Sequence, residues 1–452
     1  MTGHVLVVGG GLAGLSAALD CVDAGARVTL LEGRPRLGGA TWSARRGELE
    51  VDNGQHVFLR CCTAYRGFLA RLGVEHLVAL QPRLAVPVAA PGRGTAWIRS
   101  ARLPCPAHLA PSLLRFHHLA FPDRLRAART ARRIGALDLA DPALDRVRFG
   151  DWLRAAGEPQ ASVDRFWDLL VRPTLNLPAR EASLALATKV IQTGFLERAD
   201  GADVGWALAP LRAVHADPAE RALRAAGASV LVRAPVDAID AGAGRRPAVV
   251  SHGTRLEGDA VVLAVPHEEA AALLPPGAKA DPEAWRGLGR GPIVNLHVVF
   301  DRPVLREPLL AAIDSPLQWI FDRTASSGLA RGQYLAVSLS SAEAYLGLSQ
   351  AALRSRFLPA FEALLPEARG ARVLRFFVTA ERVATFRQAP GTRARRPAPD
   401  VGLPRVFVAG AWTDTGWPAT MEGAVRSGHA AARAALAALG AAPAALPAVA
   451  AA

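Results

Sequence analysis

The N-terminal segment joins a buried strand, a glycine-rich turn and a helix. The apolar run Val5 to Val8 leads directly into Gly9-Gly10-Gly11-Leu12-Ala13-Gly14, and a helix-forming segment follows from Leu15 to Ala24. In such a unit the first glycine permits a tight turn, the second lets a pyrophosphate approach the backbone, and the third allows close packing of helix on strand. A second strand, Arg27 to Leu31, ends at Glu32, where an acidic residue is expected to bind an adenosine ribose. The segment therefore predicts a Rossmann-type domain that holds a dinucleotide at the positive end of a helix.

The residues after Glu32 distinguish between dinucleotides. The run Glu32-Gly33-Arg34-Pro35-Arg36-Leu37-Gly38-Gly39 contains a second glycine pair, whose backbone can approach the phosphates. This combination of a glutamate, a basic residue and Gly-Gly resembles the flavoprotein superfamily of amine oxidases, carotenoid desaturases and protoporphyrinogen oxidases. The resemblance implies FAD rather than NAD. Ala40 stands where most of that superfamily has arginine.

A second motif lies near the C-terminus. The strand that starts at Arg405 ends at Gly410, and the following segment up to Gly428 resembles the C-terminal FAD motif of the same superfamily. In that superfamily the N-terminus of the last helix faces the flavin, and a positive helix end suits negative charge on a reduced flavin. Ala411 replaces the Asp or Glu that the family usually has directly after Ala-Gly.

An internal segment completes the predicted cofactor domain. Residues Gly227 to Ile239 resemble the superfamily segment whose backbone, here at Val236, holds the adenine edge, and Ala260 to Pro266 resembles the strand that closes the domain. We therefore predict an α/β fold, with a Rossmann-type, glutathione-reductase-like FAD-binding domain and an inserted α+β substrate domain. The predicted segments are 1–78, 202–285 and 381–435 for the FAD-binding domain, 79–201 and 286–380 for the substrate domain, and 436–452 for a disordered Ala/Pro tail. The resemblance assigns cofactor contacts to Gly9, Gly11, Leu12, Ala13, Gly14, Glu32, Gly33, Arg34, Gly38, Gly39, Ala40, Gly54, Gln55, His56, Val236, Gly410, Ala411, Pro418, Met421, Glu422, Gly423 and Ala424.

The two inserted segments have different patterns. The first predicts a short strand pair, Leu84 to Val88 and Thr95 to Ile98, followed by helices. The second contains alternating or apolar runs that suggest a mixed sheet, with a helix from Ala352 to Leu365 beneath it that Pro359 kinks. These runs are Ile293 to Phe300, Leu317 to Phe321 and Tyr334 to Leu339. Such a sheet could form the floor of a long apolar pocket, or it could be ordinary core.

The net charge is +13, from 53 basic and 40 acidic residues, of which only Lys189 and Lys279 are lysines. This skew fits either a general arginine bias on a solvated surface or attraction to an anionic partner. No C2H2 spacing, RNP-type aromatic motif or long basic tail indicates nucleic acid, so an anionic membrane surface is the partner left open. Between Leu113 and Arg133 six arginines accompany the single acid Asp123, interleaved with leucine and phenylalanine. This pattern is typical of a helix at a membrane interface or of a solvated helical face.

The composition, the cysteines and the absence of targeting patterns limit the class of protein and its cellular location. With 51% hydrophobic and 21% charged residues, wholesale disorder is excluded. Four cysteines without a C-x-x-C pair predict neither a disulfide framework nor a metal site, and His117 and His118, which lack partners at a metal spacing, are expected at the surface. We find no pattern for a signal peptide or a transmembrane span. A cytoplasmic protein is therefore expected.

Five segments narrow the resemblance to the hydroxysqualene dehydroxylase family, and the similarity extends from residue 4 to about residue 435. They are Asp52 to His56, Pro292 to His297, Gln318 to Arg323, Ala384 to Phe386 and Thr415 to Gly428. The resemblance implies a polyisoprenoid substrate whose allylic hydroxyl is removed reductively, with hydride from N5 of reduced FAD, to give squalene and water. Because such a substrate resides in the bilayer, a position peripheral at the inner face of the cell membrane is expected. The electron donor or reductase is not identified by any motif.

Protonation of the hydroxyl would help it leave as water, so an acid is expected near the flavin. His56 is the first candidate, because the Asp52 to His56 segment of related flavoproteins runs beside the isoalloxazine and imidazole titrates near neutral pH. Asp414 is a weaker catalytic candidate, and both Asp414 and Glu422 could instead bind the cofactor or cap the final helix. Asp52 is expected to orient its own loop.

Three other functions fit parts of this pattern. A carotenoid desaturase of the phytoene type would share the flavin motifs but use the flavin oxidatively on a related polyisoprenoid. An amine oxidase would need an aromatic-lined polar site, which no residue pattern marks. A flavin-binding protein without catalysis could position lipids at a membrane surface.

Overall fold

Two sheets organise the fold, and each takes its strands from widely separated parts of the chain. The computed structural model describes residues 3–242 and 244–440. The strands are β1 (His4–Val8), β2 (Arg27–Glu32), β3 (Ser43–Arg46), β4 (Leu49–Asp52), β5 (Val57–Leu59), β6 (Val78–Leu80), β7 (Ala85–Ala90), β8 (Gly94–Arg99), β9 (Val204–Ala207), β10 (Ser229–Val232), β11 (Ala238–Asp240), β12 (Ala248–Ser251), β13 (Thr254–Glu257), β14 (Ala260–Leu263), β15 (Gly291–Phe300), β16 (Leu309–Ala312), β17 (Trp319–Asp322), β18 (Gln333–Ser340), β19 (Val373–Thr385), β20 (Asp400–Leu403) and β21 (Val406–Val408).

The helices lie between these strands and after the last one. They are α1 (Leu12–Asp23), α2 (Thr63–Arg71), α3 (Ala110–Arg115), α4 (Phe121–Gly135), α5 (Phe149–Ala155), α6 (Gln160–Ser162), α7 (Asp168–Leu175), α8 (Leu184–Ile191), α9 (Leu211–Val214), α10 (Ala216–Ala225), α11 (His267–Leu273), α12 (Pro282–Arg286), α13 (Thr324–Ser327), α14 (Gln350–Leu364) and α15 (Met421–Ala438). Turns of 3-10 helix occupy Glu75–Leu77, Ala107–Leu109, Pro142–Arg146, Glu343–Tyr345, Pro366–Ala368 and Arg393–Arg395, and π-helical turns occupy Val163–Trp167 and Gln192–Leu196.

The first sheet has six strands in the order β10-β2-β1-β14-β21-β20. The first five are mutually parallel and β20 is an antiparallel edge. Successive residues of β1 point to opposite faces, so Val5 and Val7 join one apolar core with α1 and α15, while Leu6 and Val8 join another with Trp285. A strand that is buried on both faces must be apolar throughout, which explains the uninterrupted run in β1. The predicted Rossmann-type α/β fold is confirmed.

The second sheet has seven strands in the order β19-β15-β18-β17-β16-β7-β8. It is mixed, as predicted, because β7 pairs with β16 in parallel and the other neighbours are antiparallel. The β7–β8 hairpin of the first insertion therefore completes a sheet built mainly from the second. Helix α14, with Pro359 inside it, packs Leu353, Phe357 and Phe361 against the apolar side chains of β15 and β18.

Two expected boundaries differ from the structure. Strand β19 continues past residue 380 to Thr385, because its pairing with the long strand β15 extends to Gly291 opposite Thr385. Helix α15 continues to Ala438 and so includes the first residues of the predicted disordered tail, since Ala435 and Leu436 are fully buried in the core. Residues 441–452 of that predicted tail lie outside the described residues.

Helices from α3 to the π-helical turn at Gln192–Leu196 pack on one another in a helical layer, and Phe116, Leu119 and Leu169 of this region pack against β7, β8 and β16 of the second sheet. The connection between α3 and α4 turns Phe116 and Leu119 inward, and it draws His118 with them. The His118 ring is buried, and its Nε2 lies 2.9 Å from the carbonyl oxygen of Val88. The expectation that His118 lies at the surface is therefore wrong, whereas His117 is exposed. Among the described residues, no helix has the length and apolar character needed to cross a membrane.

A buried ion pair joins the β3–β4 hairpin to the seven-stranded sheet. Asp52 lies at the end of β4, and its carboxylate accepts hydrogen bonds from Arg323 Nη2 at 2.6 Å, from the Leu211 amide at 3.0 Å and from the Ser43 hydroxyl at 2.6 Å. Arg323, which directly follows β17, also donates from Nη1 to the carbonyl oxygen of Ala207 at 2.6 Å. Both side chains are less than one-tenth exposed. A single ion pair thus connects the β3–β4 hairpin, the segment after β9 and the seven-stranded sheet.

Replacing Arg323 by methionine tests this connection. The substitution keeps most of the side-chain volume but leaves the Asp52 carboxylate buried without its cation, so we expect a loss of about 3–5 kcal/mol in the free energy of unfolding. The measurement is the midpoint of urea unfolding. Arg154→Met is the matched control, because Arg154 pairs with Asp151 at the exposed surface and should change stability by less than about 1 kcal/mol. Equal midpoints for the two variants would contradict the role assigned to the buried pair.

Candidate functional site

The glycine-rich turn after β1 is held in place by backbone contacts. Gly9 has a φ of +105°, and its amide donates to the carbonyl oxygen of Leu31 at 2.7 Å. A Cβ placed on Gly14 would lie 1.9 Å from the carbonyl oxygen of Gly9, so α1 can start this close to β1 only with glycine at position 14. Helix α1 begins after Gly11 without a side-chain cap and without an acidic residue in its first turn. Its first amides are therefore available to an anion.

The second glycine pair lies directly on the first turn. The Gly38 amide donates to the carbonyl oxygen of Gly10 at 2.8 Å. Gly39 has a φ of +57°, and a Cβ placed on it would lie 2.7 Å from Cα of Gly11. Two separate glycine segments thus meet through their backbones at the N-terminus of α1.

The predicted ribose and adenine positions also come together. The Glu32 carboxylate accepts from the Gly10 amide at 2.7 Å and from the Arg34 amide at 2.8 Å, which fixes it at the end of β2. The segment before Val236 is tied to the same strand end, because the Ala234 amide donates to the Glu32 carbonyl oxygen at 2.9 Å. A Cβ on Gly33 would lie 3.5 Å from Pro235, so the two loops are in contact.

The C-terminal motif packs onto the same region. The Gly410 amide donates to the Ser427 hydroxyl at 2.9 Å. A Cβ on Gly428 would lie 2.3 Å from the carbonyl oxygen of Ala13, so α15 crosses α1 at van der Waals contact of their backbones. The remaining motif residues, from Ala411 through Pro418 and Met421 to Gly423 and Ala424, form the connection from β21 into α15 and its first turn.

Glu422 and Asp414 occupy positions that differ from each other. Glu422 is fully buried and accepts hydrogen bonds from the amides of Ala64 and Tyr65 at 3.1 and 2.7 Å, and from Arg426 Nε at 2.6 Å. It therefore caps α2, while α15 is capped by the Thr420 hydroxyl, which accepts from the Gly423 amide at 3.1 Å. Asp414 is partly exposed and accepts from the Gly416 amide at 3.1 Å, within its own turn. The structure does not bring Asp414 to the pocket that contains His56.

Two polar side chains that hold the C-terminal motif were missed by the sequence reasoning. Buried Arg396 donates to the carbonyl oxygens of Trp412, Thr413 and Trp417 at 3.2, 2.5 and 2.7 Å. Burial lowers the pKa of Arg396 to about 10, so it stays protonated at neutral pH. Gln388 accepts from the Ala419 amide at 2.9 Å and donates to the carbonyl oxygen of Leu175 at 2.8 Å. Neither residue belongs to a recognisable motif, because each acts on partners that are distant in the sequence.

The loop from Asp52 to His56 passes between the two sheets. Asn53 is buried, and its side chain donates to the carbonyl oxygen of Ala40 at 2.8 Å and to Glu381 at 3.0 Å. Its own carbonyl oxygen accepts from Asn295 Nδ2 at 2.8 Å and from the Thr379 hydroxyl at 3.3 Å. The loop is therefore bound to the second glycine pair on one side and to β15 and β19 on the other.

His56 lines a pocket at the end of this loop. Its Nδ1 lies 3.2 Å from the carbonyl oxygen of Gly54, and burial lowers the pKa of its imidazole below the ordinary value, against smaller raising effects of the Gly54 carbonyl, Asp52 and Glu381. The pocket walls are formed by Asp52, Gln55, Val57, Trp206, Ala207, Leu211, Pro308, Phe321, Asp322 and Arg323. The lining around His56 is therefore mixed, with four polar or charged side chains and six apolar residues.

The apolar wall of this pocket continues into a larger cluster, here called the inner apolar cluster. Its buried members include Phe321 at the pocket and Phe116 and Leu119 in the connection between α3 and α4. Val57 and Trp206 of the pocket pack against this cluster. The other buried members are Leu84, Val86, Val88, Ala90, Ala96, Leu169, Ala202, Val204, Leu309, Ala311 and Ile313. Apolar side chains are therefore in continuous contact from the His56 pocket to the helical layer.

The arrangement fits the predicted FAD. Arg36, which the sequence reasoning left out of the contact set, lies next to the second glycine pair, and its buried Nε has no hydrogen-bond partner among the described residues. Asn295 Oδ1 is also buried without a hydrogen-bond partner among the described residues. Asn295 lies beside Gly54, because its Nδ2 is 3.5 Å from the position that a Cβ on Gly54 would occupy. The α1 amides and Arg36 would hold the pyrophosphate, Glu32 the ribose and the Val236 segment the adenine. Within residues 3–242 and 244–440, no cluster of three or more His, Cys, Asp or Glu side chains could hold a metal ion.

Comparisons with known proteins agree with this geometry. The model of the flavin containing amine oxidoreductase family matches residues 12–436. Hydroxysqualene dehydroxylases of Sinorhizobium fredii and Rhodopseudomonas palustris are 28% and 29% identical, over 96% and 97% of this chain and 99% of each relative. A probable zeta-carotene desaturase of Synechococcus elongatus is 26% identical over 96% of this chain and 98% of its own length. The solved structure of cyclohexylamine oxidase from Brevibacterium oxydans superposes with a TM-score of 0.71 at 19% identity, covering 97% of this chain and all of that one, which shows a shared fold.

The contact between the two glycine segments generates a prediction about the cofactor. Gly39→Ala would drive a methyl group into Gly11, so we expect the purified variant to lose most of its FAD, read from the flavin absorbance per protein. Gly73→Ala is the matched control, because Gly73 has a similar φ of +69° but nothing within 4 Å of its Cβ position. The control should cost only about 1–2 kcal/mol of stability and keep its FAD. Full FAD content in Gly39→Ala would contradict the proposal that the two glycine segments at the N-terminus of α1 hold the cofactor.

Proposed function

Because the chain belongs to the flavin containing amine oxidoreductase family and binds FAD, we propose that this FAD-dependent oxidoreductase removes the hydroxyl group of hydroxysqualene. The substrate's allylic C–O bond breaks, a hydride is added to carbon, a proton is added to the departing oxygen, and squalene and water leave. Reduced FAD supplies the hydride when it is bound. The residues of this chain bind and orient the two reactants, exclude water and donate the proton to the departing oxygen.

The observation that carries this proposal is the composition of the His56 pocket and its surroundings. One titratable imidazole faces a wall that continues into the inner apolar cluster. A long isoprenoid with a single hydroxyl group would place carbon chain against the apolar lining of this pocket, which includes Val57, Trp206 and Phe321, and its hydroxyl group near His56. The similarity to two relatives named hydroxysqualene dehydroxylase over nearly their whole length supports the choice of substrate.

The hydrogen bond of His56 determines when it can act as an acid. A carbonyl oxygen only accepts, so the Gly54 contact requires a proton on Nδ1 of His56. In the neutral ring Nε2 then carries no proton, and only the imidazolium form has an N–H on Nε2 to donate. Since burial lowers the pKa of His56, that form is scarce above the ordinary pKa and strongly acidic where it exists.

The second glycine pair and β15 set the position of this imidazole. Asn53 binds Ala40 with its side chain and Asn295 with its carbonyl oxygen, so the start of the His56 loop is fixed from two directions. Asp52 adds the ion pair with Arg323 immediately before it. A displacement of this loop would therefore move His56 away from both the two glycine segments at the N-terminus of α1 and the apolar wall of the pocket.

A carotenoid desaturase is the second candidate, favoured by the similarity to the zeta-carotene desaturase over almost all of both chains. It would use the same apolar wall for a longer polyisoprenoid and would need no acid at His56. An amine oxidase is supported by the family model, which also covers this chain, and by the fold likeness to cyclohexylamine oxidase, but by none of the relatives compared above over their sequence. The two polyisoprenoid reactions differ in direction, since one consumes electrons and the other releases them.

Substrate assays separate these functions. Purified holoprotein incubated with hydroxysqualene and a flavin reductant should form squalene, measured by gas chromatography. The same protein incubated with phytoene and an oxidant should form no desaturated product. Desaturated product without squalene would overturn the dehydroxylase proposal in favour of the desaturase. An absence of turnover with either substrate would overturn both.

His56→Gln tests the acid. Loss of a positioned general acid lowers the rate by about 100-fold to 10,000-fold, and we expect a decrease in this range with an unchanged flavin spectrum. His76→Gln is the control, because His76 is exposed in a short turn outside the pocket. Near-normal dehydroxylation by His56→Gln with normal FAD binding would exclude His56 as the acid.

The pH dependence gives an independent check. Because the pKa of His56 is lowered, its acidic form increases as the pH falls below about 6.5, and the rate of dehydroxylation should rise from pH 8 toward pH 5. His56→Gln should lack this rise. A wild-type rate that is constant or decreasing over this range would contradict proton donation by the His56 imidazolium.

A further inference from the structure

The segment from residue 101 to residue 137 differs from the rest of the surface in charge. It contains seven arginines and one acidic residue, Asp123. Asp123 is paired with Arg126 at 2.5 Å, which removes its charge from the surface. Arg124 is also engaged, since it donates to the carbonyl oxygens of Leu119 and Leu114 at 2.9 and 2.6 Å and so ties α3 to the start of α4. Among the described residues, Arg115, Arg129 and Arg132 are exposed and form no ion pair with a carboxylate.

The same segment exposes large apolar side chains. Phe121, Leu114, Leu103 and Leu125 are 57%, 46%, 44% and 37% exposed. Leu114, Phe121 and Leu125 lie on the contacting helices α3 and α4, which is a higher density of exposed apolar side chains than the scattered singles of a solvated surface. The burial of Phe116 and Leu119 in the same stretch shows that the segment is well packed underneath, so the exposure of the other four is not a consequence of loose folding.

The exposed residues of α4 share one helical face. At 100° per residue, Phe121, Leu125, Arg129 and Arg132 fall within about 80° of one another around the axis. The opposite face carries Ala127, Thr130 and Ile134, which are buried. The outward face therefore has apolar side chains in its first half and unpaired arginines in its second half. We call the six exposed residues Leu114, Arg115, Phe121, Leu125, Arg129 and Arg132 the α3–α4 surface.

We propose that the α3–α4 surface docks the enzyme on an anionic phospholipid bilayer. Aromatic and aliphatic side chains at the start of a helix insert at the boundary between headgroups and acyl chains, and neighbouring arginines bind lipid phosphates. The charge of the surface is complementary to such a bilayer, and its apolar side chains have no other described partner. An acidic protein would match the arginines but would not require Phe121 and Leu125 to protrude.

The α3–α4 surface adjoins the inner apolar cluster, so docking there would bring the bilayer close to the enzyme's apolar interior. Phe116 and Leu119 connect α3 to α4 and are themselves members of that cluster, which reaches Phe321, Val57 and Trp206 at the His56 pocket. A bilayer bound at the α3–α4 surface would lie over the outer end of a continuous apolar region whose inner end is the pocket. The use of this surface for access to a lipid substrate rests on the proposed function, whereas the docking itself does not.

Vesicle flotation without substrate tests the docking independently of catalysis. Holoprotein should bind vesicles of phosphatidylcholine mixed with phosphatidylglycerol, bind pure phosphatidylcholine weakly, and be released by high salt. Arg129→Glu with Arg132→Glu should weaken binding about tenfold or more. Phe121→Ser with Leu125→Ser should weaken it at unchanged charge, and every variant should keep its flavin spectrum, since the changed side chains are exposed.

Two matched double variants serve as controls. Arg331→Glu with Arg354→Glu makes the same charge change at exposed arginines elsewhere, and Leu348→Ser with Leu374→Ser removes apolar side chains that are 41% and 47% exposed. Both should bind vesicles like the unmodified protein. Equal losses in the control and test variants, or no vesicle binding by the unmodified protein, would overturn the inference. So would a dimer in vesicle-free solution that the α3–α4 variants abolish, because a second copy would then cover this surface. A failed substrate assay would leave the vesicle result intact.

Discussion

The buried ion pair between Asp52 and Arg323 links the fold to the chemistry. Burying two opposite charges removes favourable hydration, which is recovered only if each charge is surrounded by well-placed partners. Asp52 has the Ser43 hydroxyl and the Leu211 amide besides Arg323, and Arg323 has the Ala207 carbonyl oxygen. These partners come from different sheets and connections, so the pair is satisfied only when the two parts of the molecule are correctly positioned. Because Asn53 follows immediately, the same condition fixes the loop that carries His56.

The three histidines near this loop differ in their hydrogen-bond partners. Burial lowers the pKa of His215 and of His297 to about 3, so both remain neutral at physiological pH. Each is also bound to a tyrosine hydroxyl, His215 Nε2 to Tyr65 at 2.7 Å and His297 Nδ1 to Tyr334 at 2.6 Å. His56 differs because its only hydrogen bond within the described residues is to a backbone carbonyl and its ring lines the pocket. Of these three imidazoles, His56 is the one that lines the pocket, which is why we propose it as the proton donor.

The sequence allowed the prediction of those features whose cause is local. The glycine segments are recognisable because backbone atoms approach within van der Waals contact there, which restricts the residue type at Gly14 and Gly39. Most strands of both sheets were likewise predictable from their apolar runs, but no run marked β16, β19 or β20. Arg396 and Gln388 could not be distinguished from other polar residues, since their partners are distant in sequence and no pattern marks them. The end of α15 was misjudged for a related reason, because the core that buries Leu436 is formed by other segments of the chain.

Glu422 illustrates how a charge in a cofactor motif can be neutralised by the surrounding structure. A carboxylate in the first turn of α15 would by itself oppose negative charge at that helix end, where the family resemblance implies the flavin. The Glu422 carboxylate instead receives two amides of α2 and the guanidinium of Arg426, and it is fully buried. The hydrogen bonds and the adjacent cation compensate its charge, so the amides of the first turn keep their positive character. Helix α1 achieves the same result more simply, with no acidic residue in its first turn. Both helix ends therefore retain the electrostatic property that binding of an anionic dinucleotide and storage of electrons on a flavin require.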